Sequence, residues 1–192
     1  MFQLIESNDD YKLYHCQFIQ DNVKEFISDC NIVYKRFNHQ FPNESTTKFF
    51  RYYNMEGLSV GLTNFYLLFT NLKKLIRQIV NHNNPLWYQC WINFHEYGKT
   101  LDWHTHDECS LHGYLSIDPK DSNTMFKNYS IDNEIGKLYL GNPSSPHKVC
   151  VNKYYIGHRI TIAFDVYDNN DIQKTINTHG VHATNIGFVA IE

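Results

Sequence analysis

Two histidines that stand two positions apart are the first residues in this sequence whose type and spacing indicate chemistry. His104 and His106 lie near the end of segment 91–108, which reads as a strand, a turn at Gly98 and a second strand. Residues i and i+2 of a strand point to one face, so both imidazoles would face the same way. They can chelate a metal if a third ligand arrives from elsewhere in the fold, and His147 is the candidate. Alone the pair is weak support, because the chain has eleven histidines.

A second set of polar residues alternates with apolar ones along two predicted strands. In segment 158–167, Arg159 and Thr161 share one face, whereas the intervening residues are apolar. A guanidinium and a hydroxyl two positions apart can clamp a carboxylate. Segment 87–96 likewise carries Asn93 and His95 on one face, where buried polar groups require partners or a function. An exposed face of an edge strand is the alternative explanation of Arg159.

The elements that must position these residues follow from hydrophobic periodicity. Segment 62–81 predicts a long amphipathic helix, and Asp21 can cap a shorter helix over residues 21–30. Residues 1–20 predict a strand, and residues 31–60 predict loop with a short strand. After Pro85 the pattern becomes β-like. The predicted strands are 87–96, 100–106, 111–117, 124–129, 136–141, 147–151, 158–167 and 185–191, which together indicate a sandwich or barrel with helices covering one side.

Composition limits the class of protein. A chain of 192 residues with 42% hydrophobic residues suits one globular domain. The net charge of −3 weakly disfavours nucleic acid as a partner, although a local basic groove stays possible. No stretch of about 18 apolar residues predicts a membrane span, and the first residues do not resemble a signal peptide.

The cysteines indicate a reducing compartment. They are odd in number, scattered and without a C-x-x-C pair, which is typical of free thiols rather than of a disulfide framework. We therefore expect a cytoplasmic protein. The five positions are Cys16, Cys30, Cys90, Cys109 and Cys150.

With these residues in view, the chain resembles the iron(II)- and 2-oxoglutarate-dependent dioxygenases. Segment 90–104 is similar to the strand–turn–strand that leads to the first iron ligand in the AlkB-like branch. His104-Thr-His106 followed by segment 111–117 also resembles small phage and bacterial oxygenases whose motif is itself His-x-His. Segments 136–149 and 159–164 resemble the last strands of the family. The resemblance covers residues 87–166.

The composition also suggests a source. Asn, Lys, Tyr and Ile are abundant, which suggests an AT-rich viral or bacterial genome.

The resemblance implies a fold and a division of the chain. The fold would be mainly β, with a double-stranded β-helix (jelly-roll, cupin-like) core and N-terminal helices packed outside. We expect a single domain over residues 1–192. Within it, residues 1–86 would be a mixed helical support, residues 87–166 the jelly-roll core and residues 167–192 a C-terminal extension.

The resemblance also implies a reaction and the residues that serve it. His104 and His147 would bind Fe(II), and Arg159 would bind the far carboxylate of 2-oxoglutarate with help from Thr161. Asn93 and His95 would contact the same co-substrate. The expected activity is that of a hydroxylase, in which O₂ and the decarboxylation of 2-oxoglutarate to succinate oxidise an unidentified substrate. Nucleic-acid base, protein side chain, lipid and small metabolite all remain open as substrates, and the oligomeric state is not predicted.

One position departs from the family pattern. The usual facial triad has two histidines and one carboxylate, but His106 stands where the carboxylate is expected. Three neutral imidazoles would leave more positive charge on the metal and make zinc or nickel competitive. Glu108, two residues further on, is the reserve ligand, and Asp107 lies beside it.

Two alternatives accompany the oxygenase hypothesis. One is a non-catalytic jelly-roll that binds a partner or has a structural role. The other is a three-histidine cupin-type metalloenzyme that does not use 2-oxoglutarate. Arg159 and Thr161 discriminate, because they have a purpose only if a carboxylate is bound.

Four other residues have weaker assignments. His112 and Tyr114 either line the pocket or are filler in the core or at the surface. Tyr139 could hydrogen-bond the co-substrate, but a buried aromatic residue is the favoured explanation. His158 is expected to face solvent.

Overall fold

The chain begins with a β-hairpin. The computed structural model describes residues 1–40, 54–59, 61–99, 101–179 and 187–191. β1 (Phe2–Ser7) pairs antiparallel with β2 (Tyr11–Cys16). The Asn8 side chain closes the turn by accepting hydrogen bonds from the backbone N–H groups of Asp10 and Tyr11, at 2.9 Å each. The strand predicted within residues 1–20 is therefore confirmed, as a pair of strands.

Helices follow the hairpin. They are α1 (Gln17–Asp21), α2 (Val23–Gln40), α3 (Met55–Leu58) and α4 (Thr63–Val80). The helix predicted over residues 62–81 is confirmed as α4, which buries Phe65, Leu68, Phe69, Leu72 and Ile76. It ends at Asn81, whose left-handed backbone (φ 49°) stops the helical ladder.

The prediction of loop over residues 31–60 is wrong for residues 31–40 and 55–58, which are helical. The apolar spacing of Phe26, Cys30 and Val33 continues the helix, and all three side chains are fully buried. The helix predicted over 21–30 is found as residues 23–30 of α2, but the expectation that Asp21 caps it is wrong, because Asp21 is the last residue of α1 and its carboxylate accepts from the Gln17 side chain. The short strand expected in this region is not found in the described residues, and residues 41–53 and 60 lie outside them.

A large antiparallel sheet forms the centre of the fold. Besides β1 and β2 it contains β3 (Leu86–His95), β4 (Leu111–Asp118), β7 (Lys137–Gly141), β9 (Arg159–Tyr167) and β10 (Val189–Ile191). In the described residues the strand order is β1–β2–β7–β4–β9–β3–β10. β9 lies between β3 and β4, so its residues are paired on both sides.

The helices cover one face of this sheet. Phe94 on β3 stacks on Tyr34 of α2, with ring centroids 4.5 Å apart, and Tyr88 contacts Phe69 of α4. The apolar residues of β9 share this buried core. The opposite face therefore receives the polar residues of β3 and β9, as strand parity predicts.

A smaller sheet faces the polar side of the large one. It consists of β5 (Ser122–Phe126), β6 (Ser130–Asp132) and β8 (His147–Val151), and β5 is the central strand, in the order β6–β5–β8. The strand predicted over 124–129 is therefore found earlier, as β5, whereas residues 127–129 connect it to β6, which was not predicted. Residues of both sheets line one cavity.

The strand predicted over residues 100–106 is wrong. In its described part, residues 101–106, the chain forms one isolated bridge, between His104 and His147. Local hydrogen bonds compete with a β-ladder here: the Asp102 carboxylate accepts from the Trp103 N–H, and the Thr105 hydroxyl donates to Asp107. The segment is therefore a loop that lies against β8.

The chain ends with α5 (Asn169–His179) and β10. The strand expected over 185–191 is found at 189–191, whereas residues 180–186 and 192 lie outside the described part of the chain. Of the helices within the described ranges, none combines the length and the apolar character needed to cross a membrane.

Candidate metal centre

Three histidines from two distant segments come together in the cavity. His104 and His106 lie in the loop after β3, and His147 is the first residue of β8. One ring nitrogen from each lies within 4.8 Å of the others. The ring centroids of His104 and His147 are 4.3 Å apart, because their backbones pair through two reciprocal hydrogen bonds of 3.1 Å. The convergence expected from the sequence is therefore present, although a loop rather than a strand carries the first two residues.

Backbone carbonyls fix the orientation of two of these rings. Nδ1 of His104 lies 2.7 Å from the carbonyl oxygen of Asp102, and Nδ1 of His147 lies 3.0 Å from that of Ser145. A carbonyl only accepts, so each Nδ1 carries the hydrogen and each Nε2 keeps a lone pair. Burial lowers the pKa of His104 and, with nearby histidines, lowers that of His147 to about 3. Both rings are thus neutral at physiological pH, the form in which histidine binds a metal.

His106 is oriented by a carboxylate instead. Its Nδ1 lies 3.0 Å from Oδ2 of Asp165, while its Nε2 is buried without a hydrogen-bond partner. A buried ring nitrogen without a partner is uncommon. The histidine donor set and this unpartnered nitrogen fit a cation held at Nε2.

Asp165 and His112 complete a second layer behind His106. Nδ1 of His112 lies 2.7 Å from Oδ1 of Asp165, and the His112 and His106 rings stack with centroids 3.7 Å apart. Burial alone would raise the pKa of Asp165, but the two histidines hold it well below its usual range. Burial, followed by repulsion from His106, lowers the pKa of His112 to about 4.

Sequence reasoning did not assign a role to Asp165, and it left His112 undecided between pocket and core. The sequence does indicate the position of Asp165, because it is an even number of residues from Arg159 and Thr161 and therefore lies on the same face of β9. Its pairing with His112 follows from the register of β4 against β9, in which the two residues are opposite. Register is not readable from one strand alone.

The cavity has a volume of about 480 Å³. All five inward residues of β9, the alternate positions from Arg159 to Tyr167, line it, as parity predicts. Tyr114 and His112 line it as well, so their pocket placement is the correct alternative. The lining residues include Trp91, Asn93, His104, His106, His112, Tyr114, His147, Arg159, Thr161, Ala163 and Asp165.

Arg159 is a buried cation in this cavity. Its side chain is only 2% exposed, its Nη2 donates to Nδ1 of His95 at 3.1 Å, and its Nε has no hydrogen-bond partner. Burial, then the nearby charge of Arg159, lowers the pKa of His95 to about 4, so this ring accepts the hydrogen bond in its neutral form. A buried guanidinium without a carboxylate partner among the contacts described is costly unless an anion joins it.

The remaining polar groups near Arg159 are also placed by register. Asn93 and His95 on β3 lie opposite Thr161 and Arg159 on β9. Nδ2 of Asn93 lies 3.4 Å from the Thr161 hydroxyl oxygen, and Oδ1 of Asn93 is buried without a partner. Asn93 and Thr161 line the cavity, whereas His95 lies behind Arg159 and is not among the lining residues.

The acidic residues of the loop have different positions. Glu108 lines the cavity and is half-buried, but it belongs to neither of the two clusters of metal-ligand type found among the described residues. Asp107 is exposed and accepts a hydrogen bond from Thr105. This geometry favours His106 over Glu108 as the third donor.

The fold shows the burial of two further residues, His158 and Tyr139. The expectation that His158 faces solvent is wrong, because it is half-buried against Phe94, with ring centroids 5.2 Å apart. Tyr139 is fully buried and is not among the cavity-lining residues, as expected of a core aromatic.

No protein-family model matches the chain, and no curated protein matches it in sequence. Solved structures do match in fold, and they include members of the 2-oxoglutarate–Fe(II) oxygenase superfamily. The non-heme α-ketoglutarate-dependent epimerase SnoN from nogalamycin biosynthesis is 11% identical, with a TM-score of 0.54; the match covers 83% of this chain and 78% of SnoN. Because the identity is low, this likeness shows the fold alone, and it agrees with the predicted jelly-roll core.

Two further oxygenases have lower scores. A prolyl hydroxylase from Trichoplax adhaerens, solved with a hypoxia-inducible factor peptide, is 14% identical with a TM-score of 0.48; the match covers 60% of this chain and 61% of that one. A 2OG-Fe(II) oxygenase-family oxidoreductase from Burkholderia pseudomallei is 9% identical with a TM-score of 0.43; the match covers 56% of this chain and 59% of that one. The chain thus spans less than two thirds of either protein.

Proposed function

We propose that the protein is an Fe(II)- and 2-oxoglutarate-dependent oxygenase that oxidises an unidentified substrate, with hydroxylation as the expected outcome. The observation that carries the proposal is that three imidazoles with converging ring nitrogens and one buried guanidinium line the same cavity. The first group suits a divalent metal, and the second suits the far carboxylate of a dicarboxylic acid.

His104, His106 and His147 would hold the iron through their Nε2 atoms. Iron bound there would supply the redox centre that couples decarboxylation of 2-oxoglutarate to oxidation of the substrate. The protein side chains would supply binding and orientation.

Arg159 would bind the distal carboxylate of 2-oxoglutarate, since its Nε is buried and unpartnered. The neutral His95 ring accepts a hydrogen bond from Nη2 and so keeps the guanidinium in one orientation. Thr161 lies beside it in the cavity; its hydroxyl oxygen accepts from Nδ2 of Asn93, so its O–H can donate to the same carboxylate. Because the cavity walls bury these groups, a charge-assisted hydrogen bond formed there is stronger than one in water.

Binding of 2-oxoglutarate to the Mn(II)-loaded protein, measured by calorimetry, tests whether Arg159 binds the co-substrate while the three histidines bind the metal. Arg159→Met should weaken 2-oxoglutarate binding by at least about 30-fold, the lower end for breaking a buried charge pair. Its affinity for Mn(II) should change by no more than about twofold, as for independent sites. Lys137→Met is the matched control, because Lys137 is a buried cation on β7 that is not among the cavity-lining residues.

Unchanged 2-oxoglutarate binding in a folded Arg159→Met protein would contradict the assignment, as would an equal loss of metal and 2-oxoglutarate. Turnover is tested separately by incubating the protein with Fe(II), ascorbate and 2-oxoglutarate and measuring succinate. Succinate formed by the unmodified protein and not by Arg159→Met is the expected result.

The three-histidine donor set also favours a second candidate, a cupin-type metalloenzyme that does not use 2-oxoglutarate. Such a protein would bind Mn(II) or Ni(II) through the same three residues. It would show no binding of 2-oxoglutarate, and Arg159→Met would then leave its ligand affinity unaltered. The same calorimetric series therefore separates the two functions.

A further inference from the structure

The candidate metal centre has a donor set without negative charge. A facial triad of two histidines and one carboxylate places one formal negative charge on the metal. Here the three converging donors are imidazoles, and Glu108 is not part of their cluster. A source of negative charge close to the centre would compensate for this difference.

The carboxylate of Asp165 lies directly behind one of the three donors. Its Oδ2 is 3.0 Å from Nδ1 of His106, the ring nitrogen on the side away from the unpartnered Nε2. The Asp165 side chain is buried in the cavity wall, so its charge is little screened by solvent. A metal-bound histidine whose other nitrogen donates to a carboxylate is a more basic ligand.

The sheet holds Asp165 more firmly than the loop holds His106. Asp165 lies within β9, paired on one side with His112 of β4 and on the other with Gln89 of β3. Its second oxygen accepts from Nδ1 of His112 at 2.7 Å. His106 comes from the loop, and its ring stacks on His112 and, with centroids 5.9 Å apart, on Trp91.

We propose that Asp165 is a positioning residue that acts through His106. Its carboxylate accepts the Nδ1–H of His106, turns Nε2 toward His104 and His147, and supplies through the ring the negative charge that a directly bound carboxylate supplies elsewhere. His112 completes the arrangement by occupying the other carboxylate oxygen and supporting the His106 ring. The inference rests on the proposed function, because it assumes that the three histidines bind a metal.

The test uses the full-length protein and Co(II), whose visible absorption reports the ligand field. Asp165→Asn removes the charge and nearly keeps the shape. We expect its Co(II) affinity to fall by about 10- to 100-fold and its absorption bands to shift. Asp165→Glu restores the charge and should recover part of the affinity. Asp118→Asn is the control, because Asp118 is a carboxylate paired with Lys120 outside the cavity lining.

A residue with only a structural role would lower the melting temperature without changing the spectrum of the folded protein. A folded Asp165→Asn variant with unaltered Co(II) affinity and absorption would therefore overturn the proposal and leave the metal centre standing. The metal centre is tested by His147→Gln in the same titration. If this change does not weaken Co(II) binding, or if the unmodified protein binds none, the proposed function fails and the role of Asp165 fails with it.

A second measurement needs no variant and covers the case in which Asp165→Asn does not fold. Nitrogen-15 spectra of the histidine rings in the Zn(II)-loaded protein distinguish a protonated nitrogen from a metal-bound one. We expect His106 to retain a hydrogen on Nδ1 and to bind Zn(II) through Nε2. Binding of the metal through Nδ1 of His106 would overturn the proposal.

Discussion

At the scale of single residues, burial determines which groups are charged. Arg159 and His95 form a buried pair in which the guanidinium donates and the neutral ring accepts, at 3.1 Å. Protonation of His95 would place a second positive charge against the first. The pair can therefore exist in its observed form only where His95 is neutral, above its lowered pKa of about 4.

This pair predicts a pH dependence of stability. Between pH 6.5 and 4 the unfolded chain protonates His95, whereas the folded protein does not, so stability falls as the pH is lowered. The loss from pH 7 to pH 4.5 should be greater in the unmodified protein than in His95→Gln by about 2 kcal/mol. Urea unfolding at both pH values measures the difference. His82→Gln, at an exposed histidine, should match the unmodified protein, and an equally steep loss in His95→Gln would refute the prediction.

The cysteines give a second residue-scale prediction. Cys16, Cys30, Cys90 and Cys109 are buried, and burial raises the pKa of each thiol, whereas Cys150 is half-buried. Because the thiolate is the reactive form, iodoacetamide at pH 8 should modify Cys150 first and the others more than about tenfold more slowly. Mass spectrometry of the alkylated peptides, with and without urea, measures this order. Modification of Cys90 at the rate of Cys150 in the folded protein would show the prediction to be wrong.

At the scale of elements, β4 depends on a residue without a side chain. Gly113 lies between β7 and β9, opposite Leu140 and Phe164. A Cβ added there would overlap the Phe164 ring and lie 2.7 Å from Cδ2 of Leu140. Both neighbours are buried in the core, so the sheet cannot yield without moving packed side chains.

Gly113→Ala should therefore reduce the free energy of unfolding by about 1–3 kcal/mol, the range for overpacking a core. Gly57→Ala is the matched control, because a Cβ at Gly57 in α3 meets no atom within 4 Å. Its stability should be unchanged or rise by up to about 1 kcal/mol, as expected for glycine in a helix. Urea denaturation of both variants decides between these outcomes, and a Gly113→Ala protein as stable as the parent would show that the Phe164 ring can move aside.

The elements also show how far the sequence alone could predict the site. Alternation along β9 was sufficient to assign Arg159 and Thr161 to one face, because a strand repeats every two residues. The loop that carries His106 was predicted as a strand, because local hydrogen bonds of Asp102 and Thr105 do not appear in hydrophobic periodicity. The contact between His112 and Asp165, residues 53 positions apart, depends on the register of β4 against β9, which no single segment specifies.

At the scale of the whole molecule, the candidate centre joins parts that the chain keeps far apart. His104 and His106 precede the jelly-roll strands β4 to β9, and His147 opens β8 of the small sheet. A ligand that bridges distant segments stabilises the folded state, because the unfolded chain does not hold the three donors together.

Metal should accordingly raise the melting temperature. At a free Mn(II) concentration 100 times its dissociation constant, the stabilisation is about 2.7 kcal/mol. For a chain of this size that corresponds to roughly 5–10 °C. Calorimetry with and without a chelator measures the shift, and His147→Gln should remove most of it. A shift of equal size in His147→Gln would mean that the stabilising ion binds elsewhere.

If the proposed metal centre is correct, the reciprocal pair of backbone hydrogen bonds between His104 and His147 has a consequence for how ions of different size would fit. Two donors tied through their own peptide groups form a preorganised edge whose spacing is set before any ion arrives. The N–H of His106 donates to the Pro143 carbonyl and its ring contacts Asp165, so neither of these bonds ties it to His104 or His147, and its distance from them is less constrained. We therefore expect ions of different radius to be accommodated mainly by displacement of the His106 ring, while the distance between the His104 and His147 rings stays nearly constant.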